Sequence, residues 1–184
     1  MEDITLTVYN DLKESTAAIA GKCAQYADLE AQAKSGKYSA EEVRKNINPK
    51  SAALKREISD DSARAINKAT ALVREYQDAM RKADALNPED VTKDAELLRA
   101  GVKLRPKDIE AMLERNQGNA TMEQLILRYV DEHGVDMGPR KPVFYGHSQE
   151  IQYGEELVNT ISIYGRWINT PTAGKMLDRF FNIK

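Results

Sequence analysis

Residues 48–86 read NPKSAALKREISDDSARAINKATALVREYQDAMRKADAL, and two apolar series with a seven-residue spacing run through them: Ile58, Ala65, Leu72, Ala79, Leu86 and Ala69, Tyr76, Ala83. The series interleave at steps of three and four, which places them on one face of an α-helix. A third series, Ile66, Val73, Met80, lies beside them and widens the stripe to about 100°. That width suits packing in a bundle better than the narrow seam of a two-stranded coiled coil. Asn48-Pro49 supplies a cap and a first-turn proline. The predicted rod is roughly 57 Å long at ~1.5 Å per residue. Ala65, Ala69, Ala79 and Ala83 would let a neighbouring helix come close.

A neighbour of the right kind precedes it. From residue 3 to about 34, Leu12, Ile19, Tyr26, Ala33 and Tyr9, Thr16, Cys23 repeat the same cadence without a proline. Lys34-Ser35-Gly36-Lys37 then offers a basic last turn and a glycine stop. Ser39 and Glu42 form a capping-box pattern for a short helix, Ala40 to Ile47, that Asn48-Pro49 is expected to close. Two long helices with a short link between them predict an antiparallel hairpin.

Downstream the elements shorten. Asn87-Pro88 repeats the cap-and-proline signal before a helix that Gly101 stops. Arg105-Pro106 opens a helix through Ile109, Met112 and Leu113, ending at Asn116-Gln117-Gly118-Asn119. Thr121 is read as the cap of the next helix, which carries Met122, Leu125, Ile126, Tyr129 and Val130 and ends at His133-Gly134. From residue 139 the composition changes: this last quarter holds seven of the twelve aromatic residues and a charge of +2, against −4 before it. Leu157, Ile161, Tyr164 and Ile168 are spaced as a helix face, although residues 160–169 also alternate as a strand would, which leaves a mixed C-terminal quarter as the alternative. Thr170-Pro171 opens a last short helix with Leu177, Phe180 and Phe181. The expected class is all-α, in three regions: a hairpin over 1–86, a head of short helices over 87–138, and an aromatic segment over 139–184.

The totals bound the function. Lys and Arg number 27 against 29 Asp and Glu, for a net charge of −2, so a nucleic-acid role would need a local basic face. The lone Cys23 cannot form a disulfide within the chain, and on an apolar stripe it reads as a small hydrophobe in a reducing compartment. The acidic Met1-Glu2-Asp3 start and the lack of a long apolar run give a cytoplasmic protein with no membrane segment as the expectation. Neither His133 nor His147 has a carboxylate or cysteine at metal-ligand spacing. No phosphate-cradling glycine loop or hydrolase signature is present. The expected protein is non-enzymatic and calls for no cofactor or metal.

Two stretches are candidate contact surfaces. The helices 106–116 and 121–133 with Gly118 between them have a helix-turn-helix outline. Glu123, Asp131 and Glu132 oppose phosphate there, so packing as a helical hairpin is the plainer reading. Arg115, Gln124 and Arg128 are the contacts if this pair binds nucleic acid or a host protein as a regulator or anti-defence factor. The second stretch is Tyr164-Gly165-Arg166-Trp167 with Phe180 and Phe181. Aromatics beside arginine suit a protein hot spot and base stacking alike, and they also suit a core. Tyr164, Arg166, Trp167, Phe180 and Phe181 are therefore the candidate interface.

Residues 95–133 carry a resemblance. Glu96-Leu97-Leu98, Val102-Lys103-Leu104-Arg105-Pro106-Lys107-Asp108-Ile109, Leu113-Glu114-Arg115-Asn116, Gly118-Asn119, Thr121-Met122 and Leu125 together resemble small helical proteins encoded among the structural genes of tailed phages and prophages of Gram-positive bacteria. Val8-Tyr9-Asn10-Asp11-Leu12-Lys13 fits the same type. The resemblance implies a phage origin, and a role in virion assembly, scaffolding or minor capsid attachment. A structural or assembly protein would meet copies of itself or another virion protein, in the host cytoplasm or in the particle.

Overall fold

The computed structural model describes residues 2–140 and 142–182. Every regular element among them is helical, so the chain is all-α. The α-helices are α1 (Glu2–Lys34), α2 (Ala40–Glu42), α3 (Asn48–Ala83), α4 (Asp94–Arg99), α5 (Pro106–Arg115), α6 (Ala120–Glu132), α7 (Ser148–Tyr164) and α8 (Ala173–Phe180). Residues 160–164, where strand competed with helix, belong to α7.

Two compact units form, one of Met1–Tyr76 with Tyr153–Lys184 and the other of Gln77–Gln152. The division differs from a split at 86 and 138, because the apolar face of α7 joins the core of the long helices instead of standing as a separate arm. In the first unit, Val8, Leu12 and Ile19 of α1 meet Ala65, Ala69 and Val73 of α3, with Leu157, Ile161, Tyr164, Ile168 and Leu177 closing the core. Cross-helix pairs set the direction: Asp11 with Lys68, Lys22 with Glu57 and Asp61 (each 2.8 Å), Glu30 with Ser51 (3.1 Å). As the α1 numbers rise the α3 numbers fall, so these helices run antiparallel. The Tyr9 hydroxyl donates to Asp178 (2.8 Å) and ties α8 to α1.

The capping box at Ser39 is present: Glu42 N–H donates to the Ser39 hydroxyl at 3.2 Å, and Ser39 N–H to the Glu42 carboxylate at 2.8 Å. The expected break at Asn48-Pro49 is absent. Asn48 is helical (φ −59°, ψ −40°), and its N–H reaches back five residues to the Val43 carbonyl, as part of a π turn over Val43–Ile47. Proline has no N–H and its ring crowds the carbonyl four residues back. The wider π turn makes that room, so α2 leads into α3 without a stop.

In the second unit, Ile109, Met112, Met122, Ile126, Tyr129 and Val130 form the core. Asn87 caps a single 3-10 turn, Pro88–Asp90, rather than one continuous helix, and α4 follows. Thr121 is not the cap of α6. Asn119 is: its side chain accepts from Met122 N–H at 3.0 Å. Thr121 is buried, and its hydroxyl accepts the Asn87 N–H (2.9 Å). Gly118 (φ +82°) makes the turn between α5 and α6. The Tyr129 hydroxyl donates to Val102 O (2.7 Å) and accepts from Leu104 N–H (3.3 Å), pinning the link ahead of α5.

Candidate docking surface

Helix α6 carries apolar residues on more than its core face. Met122, Ile126, Tyr129 and Val130 are buried, and Leu125 and Leu127 are left at its flanks, half-exposed. Two other segments of the same unit bring apolar side chains beside them. One is Leu86, just past the end of α3. The other is Pro142-Val143-Phe144, ahead of α7. Together with Gln124, Arg128, Asp131 and Glu132 they line an open groove of about 720 Å³. Leu86 and Val143 are 54% and 57% exposed, and the neighbouring Tyr145 is 68% exposed. Large apolar side chains gathered at a surface mark interaction sites, whereas single ones do not.

The groove's polar edge is internally paired. Arg128 bridges Glu132 one turn on (3.4 Å), and Gln124 donates its amide to the Asp84 carbonyl (2.7 Å). Asp84 also binds the far end of the 142–147 segment. Its carboxylate accepts the His147 backbone N–H (2.8 Å) and lies 2.7 Å from the His147 ring Nδ1.

The three residues proposed for nucleic acid are thus already engaged. Arg115 sits on Asp94 (3.0 Å), where it and Asn116 hold the Asp94 carboxyl below the usual carboxylate range. Arg128 and Gln124 face the groove, each with a partner of its own. Among the described residues, no group of three or more His, Cys, Asp or Glu is placed to hold a metal ion. His133 caps the C-terminus of α6 and stacks on Tyr129, with ring centroids 4.0 Å apart.

The five aromatic-segment candidates do not share one fate. Tyr164 is fully buried and Phe181 nearly so, packed at 6.0 Å between ring centroids from Tyr9. Both are core residues and drop out of the interface. Phe180 is half-buried and meets Tyr164 edge-on at 6.4 Å. Arg166 and Trp167 stay exposed, Trp167 at 38%. Gln124 and Arg128 at the groove's edge were already candidates in the sequence, whereas its apolar lining escaped because it comes from three distant segments. The available signal was the surplus of leucine on α6, whose core face was already complete.

No protein-family model matches the chain, and no curated protein or solved structure is detectably similar to it. No helix among the described residues is long and apolar enough to cross a membrane.

Proposed function

We propose that this chain is a non-enzymatic helical docking protein that works by protein–protein contact, as a structural or assembly component of a tailed phage or prophage particle. The observation that carries the docking half is the apolar groove of Leu86, Leu125, Leu127, Val143 and Phe144. An open apolar groove with a polar rim suits the apolar face of a protein helix laid into it. The phage setting rests on the resemblance of residues 95–133.

Two measurements test it. Mass spectrometry of particles and assembly intermediates from the source phage should find the chain. Light scattering of purified protein should show an association that Leu86→Asp with Val143→Asp weakens while the circular dichroism stays helical. A chain missing from particles and intermediates, and monomeric at every concentration with its groove intact or altered, ends the reading.

A further inference from the structure

We propose that Asp84 and His147 form a latch, and that residues 142–147 are a strap which this latch holds in place as one wall of the groove. The inference rests on the docking reading only for what the strap guards. The latch itself stands on geometry.

Asp84 follows the last turn of α3, its N–H bonded to Met80 O at 3.0 Å. One carboxylate oxygen, Oδ2, accepts the His147 backbone N–H, and the other, Oδ1, faces the His147 ring Nδ1. The two residues are 63 apart in sequence, so the pair is a tertiary tie and not a local turn. Gly146 makes the approach possible. Its φ is +49°, and a Cβ built there would lie 2.6 Å from Asp84 Oδ2 and 2.7 Å from both Cγ and Oδ1. The carboxylate therefore packs flat against a backbone that only glycine leaves bare.

Each side of the tie is anchored. Gln124 of α6 donates to the Asp84 carbonyl, which fixes Asp84 to the opposite wall of the groove. Beyond His147, the start of α7 is held by Gln77, a buried side chain whose amide donates to Ile151 O at 2.8 Å. Ile151 N–H in turn bonds His147 O (2.9 Å). The firm point lies at residues 147–151, and the strap reaches from it to carry Pro142, Val143 and Phe144 along the groove. Asp84 is the residue whose two functional groups, carbonyl and carboxylate, join the two walls. Releasing its carboxylate frees the strap while the carbonyl keeps its bond to α6.

The test uses the full chain with Gly146→Ala, Asp84→Ala and the milder His147→Ala, whose site is partly exposed and leaves the backbone bond in place. Amide exchange of His147 and chymotryptic cleavage after Phe144 or Tyr145 report the strap. Both should rise roughly tenfold or more in Gly146→Ala and Asp84→Ala, and less in His147→Ala, with the α5 and α6 core amides unchanged. Strap exchange and cleavage that match the parent chain in all three variants would overturn the latch. So would loss of protection throughout α5 and α6, which would make Asp84 a general support of the unit. Binding of the dye anilinonaphthalene sulfonate reads the groove separately. A loosened strap with more dye bound supports both latch and docking groove. A loosened strap with unchanged dye binding keeps the latch and removes the strap's part in shaping the groove, while the docking reading stands or falls on the association measurement.

Discussion

At the scale of single residues, the polar groups inside the core are the most informative. The Thr16 hydroxyl donates to Leu12 O (2.6 Å), which leaves its oxygen to accept from the buried Tyr164 hydroxyl. Burial pushes the Tyr164 phenol above its ordinary value of about 10. A raised pKa means that the folded protein holds this proton more tightly than the unfolded chain does. Stability is therefore unaffected below about pH 10 and falls as pH rises from there through the higher folded value. Tyr164→Phe should cost about 0.5–1.5 kcal/mol at neutral pH and flatten the alkaline loss. Urea midpoints across alkaline pH, parent against variant, measure both. A parent and a variant that decline in parallel would place the alkaline sensitivity elsewhere. The same residue shows what letters alone leave open. Tyr164 beside Arg166 and Trp167 has the composition of a hot spot, yet the helical phase of Leu157, Ile161, Tyr164 and Ile168 turns it inward while Arg166 and Trp167 stay outside.

At the scale of elements, α1 and α3 were legible because a seven-residue cadence has one cheap solution, a helix with a buried face. The reading holds through Val73 and then fails: Ala79, Ala83 and Leu86 continue the series but are exposed. Periodicity marks which side chains can be covered, and a neighbour must still arrive to cover them. Where α1 does arrive, Ala69 is fully buried in the cluster that also holds Val8, Leu12 and Val73. Ala69→Leu should overfill that contact and destabilise the first unit by about 1–3 kcal/mol, read by thermal or urea unfolding. Proline was a poorer guide than cadence. Asn87-Pro88 caps a single 3-10 turn instead of opening the expected helix to Gly101, and Asn48-Pro49 sits inside continuous helix because a π turn precedes it. Pro49→Ala removes the reason for that turn. The 43–47 backbone shifts should then move toward ordinary α values, and stability should rise by up to about 3 kcal/mol. Unchanged shifts would mean that burial of Ile47, not the proline, sets the π turn.

At the scale of the whole molecule, the all-α class could be read from caps, glycine stops and helical phase, whereas the two-unit division could not. It depends on residues far apart in sequence: Tyr9 with Asp178, Thr16 with Tyr164, and Asn87 with Thr121. The groove escaped for the same reason, being assembled from residues 86, 124–132 and 142–144. Each unit nevertheless has its own buried cluster, one around Leu12, Ile19 and Ile161, the other around Ile109, Met122 and Ile126. Ile19 is 1% exposed and Ile126 fully buried, so truncating either leaves a cavity in one cluster alone. Ile19→Ala and Ile126→Ala should each cost about 2–5 kcal/mol, since the lost transfer energy and the new void add. Native-state amide exchange separates the effects. Ile126→Ala should speed exchange in α5 and α6, Ile19→Ala in α1 and in α3 up to residue 76, because local opening follows contiguous cooperative units. If either substitution accelerates both sets equally, the chain opens as one unit, and the separate cores are a feature of packing without separate stabilities.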